Sequence, residues 1–426
     1  MSAVEVLAAD DTSVRPDATQ LHLPAGTSLT KNVVTDLDWC LSVLGAVSPA
    51  AKDLARISIA AYLADRTEQR SPAYFSRRME IVVHLDEPER FLSPAGRRLV
   101  DLLAWLTGDA WTLTPVANKS SAAGQVAIVE GRDEVMLLSG GLDSMCGAVA
   151  AFDSQSTRLH LGHRDQTGAV AHSQEALATA LRGWDSSFTW QRLRLAPRVT
   201  NDNSTRTRSL LFMALAVAAA TAVSAPRVVV PENGFTSLNL AMLPSRGGAL
   251  STKSTHPWTF RQINALVEEL ELNVVLENPY GTATKGTMLR TAYNIAMKSG
   301  HDLLPMASET ISCSKLDGGL GYKGGSPNVN CGLCIACLVR RGAFIGSGLD
   351  DATDYLIDRV TSDARTKLIN ARHADIWAVR TWGTRHPTID DLMISAPWPP
   401  GTDYDAMLAV VLAGRTELLE ALDGAL

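Results

Sequence analysis

From Asp133 onward the chain alternates short apolar runs with helical segments, and this alternation limits the fold more than any other feature. EVMLLS leads through a glycine turn into a helix reaching Phe152. RLHLGH is followed by the helical AHSQEALATALRGW, and FTWQRLRL by an alanine-rich helix over about 204–224. RVVVPE precedes TFRQINALVEEL, and NVVLENP precedes KGTMLRTAYNIAM. Strands separated by single helices need crossover connections. These are right-handed and generate a parallel sheet with helices on both faces. The expected fold class is therefore α/β, with a doubly wound, parallel, five-stranded sheet. Ligands of such sheets sit at the carboxyl ends of the strands.

The flanks read differently. Residues 1–130 predict an accessory α+β domain. Its strands are TQLHLP, RMEIVVHL, WTLTPVA and QVAIVEG, and its helices lie over 33–45, 49–68 and 94–107. It contains no catalytic motif. Residues 131–348 form the alternating domain. Residues 349–426 predict a helical extension, with amphipathic LINARHADIWAVRTW and YDAMLAVVLAGRTELLEAL on either side of the breaker APWPPGTD. Apolar residues make up 46% and charged residues 20% of the chain, enough to fill a large core. A net charge of -6 is not that of a protein that coats nucleic acid, so a nucleic-acid partner is not expected. The N-terminal MSAVEVLAADD has acids and no basic run, which predicts a cytoplasmic protein without a secretory signal. Ser209 to Pro226 runs uncharged for 18 residues, the lower limit for a membrane span. Seven of these are alanine and a strand-like RVVVP follows, so a helix buried against the sheet is expected, with no membrane partner.

The sharpest motif is SGGLDS, Ser139, Gly140, Gly141, Leu142, Asp143 and Ser144, directly after the first strand of the alternating domain. Two glycines allow a tight turn that brings backbone N–H groups close to a ligand. The helix that follows offers its free N–H groups and about half a positive charge. Together these form an anion site suited to phosphate. Asp143 would repel a phosphate directly, so it is assigned to Mg2+ or to capping the helix. The loop is neither a Walker A motif nor a dinucleotide fingerprint, because GK[ST] and GxGxxG are both absent.

Of six cysteines, Cys313, Cys331, Cys334 and Cys337 lie within 25 residues. C-x2-C-x2-C spacing at a turn, with a fourth cysteine upstream, can close a tetrahedron around one cation. Zinc is the expected metal; an iron–sulfur cluster is the alternative, since ferredoxins use similar spacing but with a continuation that is missing here. Cys40 and Cys146 read as plain core residues.

SGGLDS resembles the PP-motif of the N-type ATP pyrophosphatases, a resemblance that covers roughly residues 133–345. It implies a PP-loop (HUP-type) sheet that grips the β,γ-phosphates of ATP and transfers AMP to a carboxylate or carbonyl oxygen. SETISCSK with CGLCIACLVRRGAF is similar to the zinc segment of the 7-cyano-7-deazaguanine synthase (QueC-like) family. NSTRTRSLLFMALAVAAA is similar to that family's arginine-led helix. The resemblance implies ATP and Mg2+ at Ser139–Ser144, with Gly162 and His163 near the nucleoside, and Zn2+ on the four cysteines. It implies catalytic roles for Asp143, Lys285 and Arg208, and substrate contacts from Glu232, Asn233, Gly234 and Arg340. The flanking regions and the segment NGFTSLNLAMLPSRGGALSTKSTHPWTF depart from the ordinary enzymes. Long QueC-like proteins of this kind resemble components of bacterial anti-phage defence systems, such as QatC. That implies a ligase joining a 7-deazaguanine acid to the N-terminal amine of a partner protein. The alternatives are synthesis of 7-cyano-7-deazaguanine with ammonia, a PP-loop tRNA thiolase with an iron–sulfur cluster, and a nucleotide-binding scaffold without chemistry.

Other residues carry open readings. Arg192, Arg194, Arg198, Arg206 and Arg208 form a basic run, read either as a phosphate or carboxylate grip or an RNA patch, or as a solvated face. His160, His163, His172 and His256 are candidate bases. Lys253, Ser254 and His256 lie in a segment that could close over substrate.

Overall fold

The computed structural model describes the chain apart from residues 1, 26–31, 72–75, 121–126, 128, 155, 165–167, 244–252, 317–320 and 327. Two parallel sheets organise it, so the N-terminal region is itself parallel α/β and not the α+β domain expected: helices make the crossovers into its last two strands. The first has the order β2–β1–β4–β5, from β1 (Ser2–Ala8), β2 (Thr19–Leu23), β4 (Arg78–Leu85) and β5 (Ala110–Ala117). Helices α1 (Pro49–Thr67) and α2 (Pro94–Thr107) accompany it. The second, five-stranded sheet has the order β11–β10–β6–β7–β8. Its strands are β6 (Glu134–Leu137), β7 (Arg158–His163), β8 (Trp190–Leu193), β10 (Arg227–Val229) and β11 (Val275–Glu277). All its pairings are parallel. β3 (Val33–Thr35) pairs antiparallel with β9 (Leu195–Pro197) and stitches the two halves together.

The five-stranded sheet is covered on both faces, as the alternation predicts. Helices α3 (Leu142–Ala150), α4 (Gly168–Trp184) and α8 (Lys285–Lys298) pack with Met136, Leu138 and Val229. On the other face α5 (Arg208–Ala222) and α7 (Pro257–Glu269) pack with Val135, Leu161 and Val228. Strand residues one apart in sequence face opposite sides, so both parities must be apolar. The uncharged stretch after Arg208 is explained by this layering. One side of α5 meets the sheet and the other meets α1, so it is buried nearly all round. No helix among the described residues is long and apolar enough to cross a membrane.

Helices α6 (Gly234–Leu238), α9 (Leu304–Ser308) and α10 (Ile335–Ser347) complete the central part. The C-terminal helices are α11 (Leu356–Arg359), α12 (Ser362–Ala371), α13 (His373–Gly383), α14 (Ile389–Ser395) and α15 (Tyr404–Ala425). They share a third core with the four cysteines, in which Leu338, Val379, Trp382, Val410 and Leu418 interleave.

Three local expectations are corrected. The segment 33–45 is not a helix: it holds β3 and a single 3-10 turn, Ser42–Leu44, because its residues are used for strand pairing and a buried turn. β1, the central strand of the first sheet, went unread, although VEVLA is an apolar run with five consecutive buried residues from Val4. The sequence LINARHADIWAVRTW breaks at Arg372 into α12 and α13. Of QVAIVEG, residues 125, 126 and 128 lie outside the described residues, and 127 and 129–131 carry no strand.

Candidate active site and metal centre

The strand order reverses direction between β6, first in sequence, and its neighbour β10, fourth in sequence. The crevice at such a switch point opens beyond the strands' carboxyl ends, because the two flanking connections leave in opposite directions. SGGLDS leaves β6 on one side of it, and Pro231–Gly234 leaves β10 on the other. A cleft of about 580 Å³ lies there. Its walls include Ser139, Gly140, Gly141, Ser144, Gly162, His163, Arg208, Glu232, Ser254 and Cys313.

The loop is held from behind. Gly140 has φ +94°, and a Cβ there would come within 2.9 Å of Gln174 Cγ, so only glycine fits. Gly141, by contrast, has ordinary van der Waals room for a Cβ. Gln174 donates to the carbonyls of Ser139 (3.0 Å) and His163 (2.7 Å), tying the first two strand ends together. Ser173 donates to Gly140 O at 2.8 Å. The Ser139 amide donates to Ser144 Oγ, and the Gly141 amide reaches Ser139 Oγ at 3.2 Å. The amides of Gly140, Leu142, Asp143 and Ser144 donate to no group among the described residues. The helix begins its own ladder only at Met145 N, which reaches Gly141 O at 3.0 Å. Four amides at one helix N-terminus are thus left for an external acceptor.

Beside the loop stands a buried charged group. Asp143 Oδ2 accepts from Asn233 Nδ2 at 2.7 Å, and Lys285 Nζ lies 3.2 Å from Oδ1. Oδ1 accepts no hydrogen bond with acceptable geometry. The Glu232 carboxyl neighbours that of Asp143 and is held well above its ordinary value. Burial is the main cause, and the Asp143 carboxylate adds to it while Lys285 opposes it. Two carboxyl groups in contact, one of them also paired with Lys285, make a buried charged cluster beside the loop. Asn278 fixes the Glu232 backbone by donating to its carbonyl at 2.7 Å.

Arg208 opens α5 at the cleft wall, and the N-terminal region holds it there. Asp65 on α1 accepts from Ser204 (2.8 Å) and Thr207 (3.2 Å), while the Arg70 amide donates to Asp202 at 2.8 Å. Of the basic run, Arg192 pairs with Glu175 and Arg206 donates to Thr107 O, so these two serve the fold.

Three predicted contacts fall elsewhere. Leu142 is fully buried in the core beneath α3, so only its backbone faces the ligand side. Gly234 packs against Gly281, whose carbonyl oxygen would lie 2.2 Å from an added Cβ, and does not line the cleft. Arg340 is fully buried and spends its guanidinium on Thr310, Thr353 and the Ala307 carbonyl. It braces the fold under the cysteine segment and does not reach the cleft. His256 is also drawn away from the cleft. It caps α7 by accepting from the Trp258 amide and packs edge-on against Trp105 and Trp398. Burial lowers its pKa to about 4. Lys253 lies 3.8 Å over the Trp105 ring.

The four cysteines converge as their spacing predicts. Their sulfurs lie within 4.8 Å of one another and all four are buried. The Cys313–Cys334 and Cys331–Cys337 sulfurs are 3.8 and 3.9 Å apart. A tetrahedron with Zn–S bonds of about 2.3 Å has edges of about 3.8 Å. Amides of Lys315, Cys331 and Cys334 point at sulfur, which offsets thiolate charge. Gly332 has φ +86°, and a Cβ there would meet Ile357, so the turn demands glycine. The group could hold a metal ion such as zinc. Ile311 to Ser314, at the first cysteine, also form a wall of the cleft. The metal centre and the cleft therefore share a segment.

Sequence reasoning missed Ser173, Gln174 and Asn278. All three sit outside the motifs and act by bracing backbone carbonyls, a role with no local signature. No protein-family model and no curated protein matches the chain.

Proposed function

We propose that the chain is an ATP-dependent ligase that adenylates a carboxylate and passes the acyl group to an amine. One observation carries this reading: four loop amides without internal acceptors, at the switch point of a doubly wound sheet, beside a buried carboxylate pair and a lysine. That set suits a polyphosphate with its cation. In this reading the amides of Gly140, Leu142, Asp143 and Ser144 hold the β,γ-phosphates. Asp143 and Glu232 would hold Mg2+, which supplies neutralisation of the phosphate charge. A substrate carboxylate oxygen attacks the α-phosphorus, and the bond from that phosphorus to the α,β-bridging oxygen breaks. Lys285 and Arg208 stabilise the departing pyrophosphate. An amine then attacks the acyl carbon and AMP leaves.

Following the sequence resemblance, the carboxylate belongs to a 7-deazaguanine acid and the amine is a partner protein's N-terminus, in a role in anti-phage defence. Ammonia is the alternative nucleophile. Zinc is the proposed metal of the cysteine site. The sulfur separations suit a single ion, and sulfurs this close leave no room for the irons of a cluster. This disfavours the thiolase reading.

The test is pyrophosphate release from ATP with 7-deazaguanine carboxylic acid, with ammonia or a candidate partner protein as acceptor. Release that needs the acid supports the ligase. A mass increase on the partner's N-terminus identifies the protein amine as nucleophile. No release under either condition overturns the proposal.

A further inference from the structure

The last helix, α15, reaches the start of α8 through one side chain. Glu417 crosses α10 over Gly342 and Gly346 and points at the N-terminus of α8. A Cβ on Gly346 would lie 2.5 Å from Glu417 Oε1, and one on Gly342 would lie 2.6 Å from its carbonyl oxygen. A Cβ on Gly286 would lie 2.7 Å from the same Oε1. Three glycines on two helices therefore leave the space this one glutamate fills. The carboxylate accepts from Thr284 Oγ1 at 2.5 Å and from the Gly286 amide. Thr284 is the N-cap of α8 and itself accepts from Thr287 N at 3.1 Å.

Lys285 is the first residue of α8, between the two residues that Glu417 grips. Its ammonium is the group that faces Asp143. We propose that Glu417 is a positioning residue: it fixes the first turn of α8, and so the reach of Lys285 toward the phosphates. The physical basis is the unsatisfied N–H groups of a helix N-terminus, which a fixed side-chain oxygen accepting from them holds in place. A lysine side chain is long and flexible, so its reach depends on a fixed base. The C-terminal helix is then a working part of the site. The proposal rests on the ATP reading above.

The test measures binding of a non-hydrolysable ATP analogue with Mg2+ by calorimetry in the full chain. Glu417→Ala is expected to weaken binding about tenfold, the size of a lost helix anchor that misplaces a binding group. Glu417→Gln keeps an acceptor for both partners and is expected to stay within about twofold of the unaltered protein. Glu417→Asp, one methylene short, is expected to weaken binding about fivefold and serves if the alanine variant fails to fold. In a Lys285→Ala background the same changes should have almost no effect, because the group they position is gone. Leu418→Ala, on the same helix but in the third core, should lower the melting temperature and leave the affinity unchanged. If the unaltered protein binds and both Glu417→Ala and Glu417→Asp bind equally well, the proposal fails alone. If the loss persists undiminished without Lys285, Glu417 is merely structural and the proposal also fails. If the unaltered protein does not bind the analogue, the ATP reading fails and takes the proposal with it.

Discussion

The molecule contains two parallel sheets, and their carboxyl ends have opposite characters. At the end of the four-stranded sheet the buried acids are answered among the described residues. Glu5 accepts from Ser13 (2.5 Å), the amides of Val14 (2.8 Å) and Arg15 (3.2 Å), and His84 Nε2 (2.9 Å). Asp11 takes the other His84 nitrogen at 2.7 Å, and Asp53 takes the amides of Asp86 and Glu87. At the end of the five-stranded sheet, donors among the described residues are left over: the four loop amides of Gly140, Leu142, Asp143 and Ser144. Buried polar groups are normally satisfied, so leftover ones need an explanation, and a ligand is the simplest. Similar strand geometry gives a sealed end in one sheet and an open site in the other. The difference lies in whether the protein's own side chains complete the hydrogen bonding.

Removing the metal should have the largest effect. Structural zinc contributes about 10–16 kcal/mol of apparent binding energy, more than most domains' whole stability. Strong chelation or Cys334→Ala should melt the third core and open the cleft wall at Ile311–Ser314, while the four-stranded sheet persists. Hydrogen exchange would show fast exchange in α10 with slow exchange kept in β1 and β4. Uniform protection after complete metal removal would show that the centre is dispensable.

Exchanging one acid at each sheet end tests the comparison directly. Asp143→Ala is expected to lower pyrophosphate release about a thousandfold, with a smaller loss of stability than Glu5→Ala. It removes one of two crowded carboxyl groups, which offsets part of the cost of leaving Asn233 Nδ2 and the Lys285 ammonium without their acceptor. Glu5→Ala is expected to do the reverse. It should cost about 3 kcal/mol of stability, because His84 and two amides lose their acceptor, and leave pyrophosphate release intact. Denaturant melts and the release assay on both variants give the answer. If Asp143→Ala destabilises as much as Glu5→Ala, the two ends are alike and the comparison fails.

The two glycines of the loop sharpen it further. Gly140→Ala should cost about 1–3 kcal/mol through its left-handed backbone and the approach to Gln174. Gly141→Ala, with room for its Cβ, should stay within about 1 kcal/mol. Equal effects in thermal melts would overturn the packing argument.

Acid should act on the sealed end. Glu5 and Asp11 resist protonation in the folded protein: burial alone would raise their pKa values, but the hydrogen bonds from Ser13, His84 and backbone amides outweigh it. A depressed folded pKa means stability that is complete above the ordinary value and is lost as pH falls below it. For Glu5 that ordinary value is 4.5. His256, lowered to about 4 from 6.5 by burial, has the same sign and begins to act earlier, as pH falls through 6.5. Asp53, raised to about 6 by burial, and Glu232, also raised by burial, have the opposite sign and offset His256, so the melting temperature should decline chiefly below about pH 4.5. Glu5→Gln should flatten the part of that decline below about pH 4.5.

Much of the fold was legible because it is written locally. All five strands of the second sheet and most helices follow from hydrophobic runs and their spacing. SGGLDS announces an anion loop through two glycines and a helix start, and the cysteine spacing announces a metal group. β1 was missed because its apolar run is interrupted by Glu5, whose partners lie in the loop after the strand and at His84 on β4. The segment 33–45 was misread because pairing with β9, more than 150 residues away, overrides its local preference. Arg340 was taken for a substrate contact because position in a motif does not reveal which way a guanidinium points. Its partners at Thr310 and Thr353 come from the chain on either side of α10.

By itself the sequence determined the βα alternation, the phosphate-type loop and the four-sulfur group. Each of these depends on residues within a few turns of one another. Only the tertiary structure decided that Glu232, Asn233 and Lys285 gather around Asp143, that the N-terminal region steadies Arg208, and that Glu417 reaches α8. Those choices depend on which elements become neighbours in space. That is set by burying the faces of three cores together, a property of the whole chain that no local window contains.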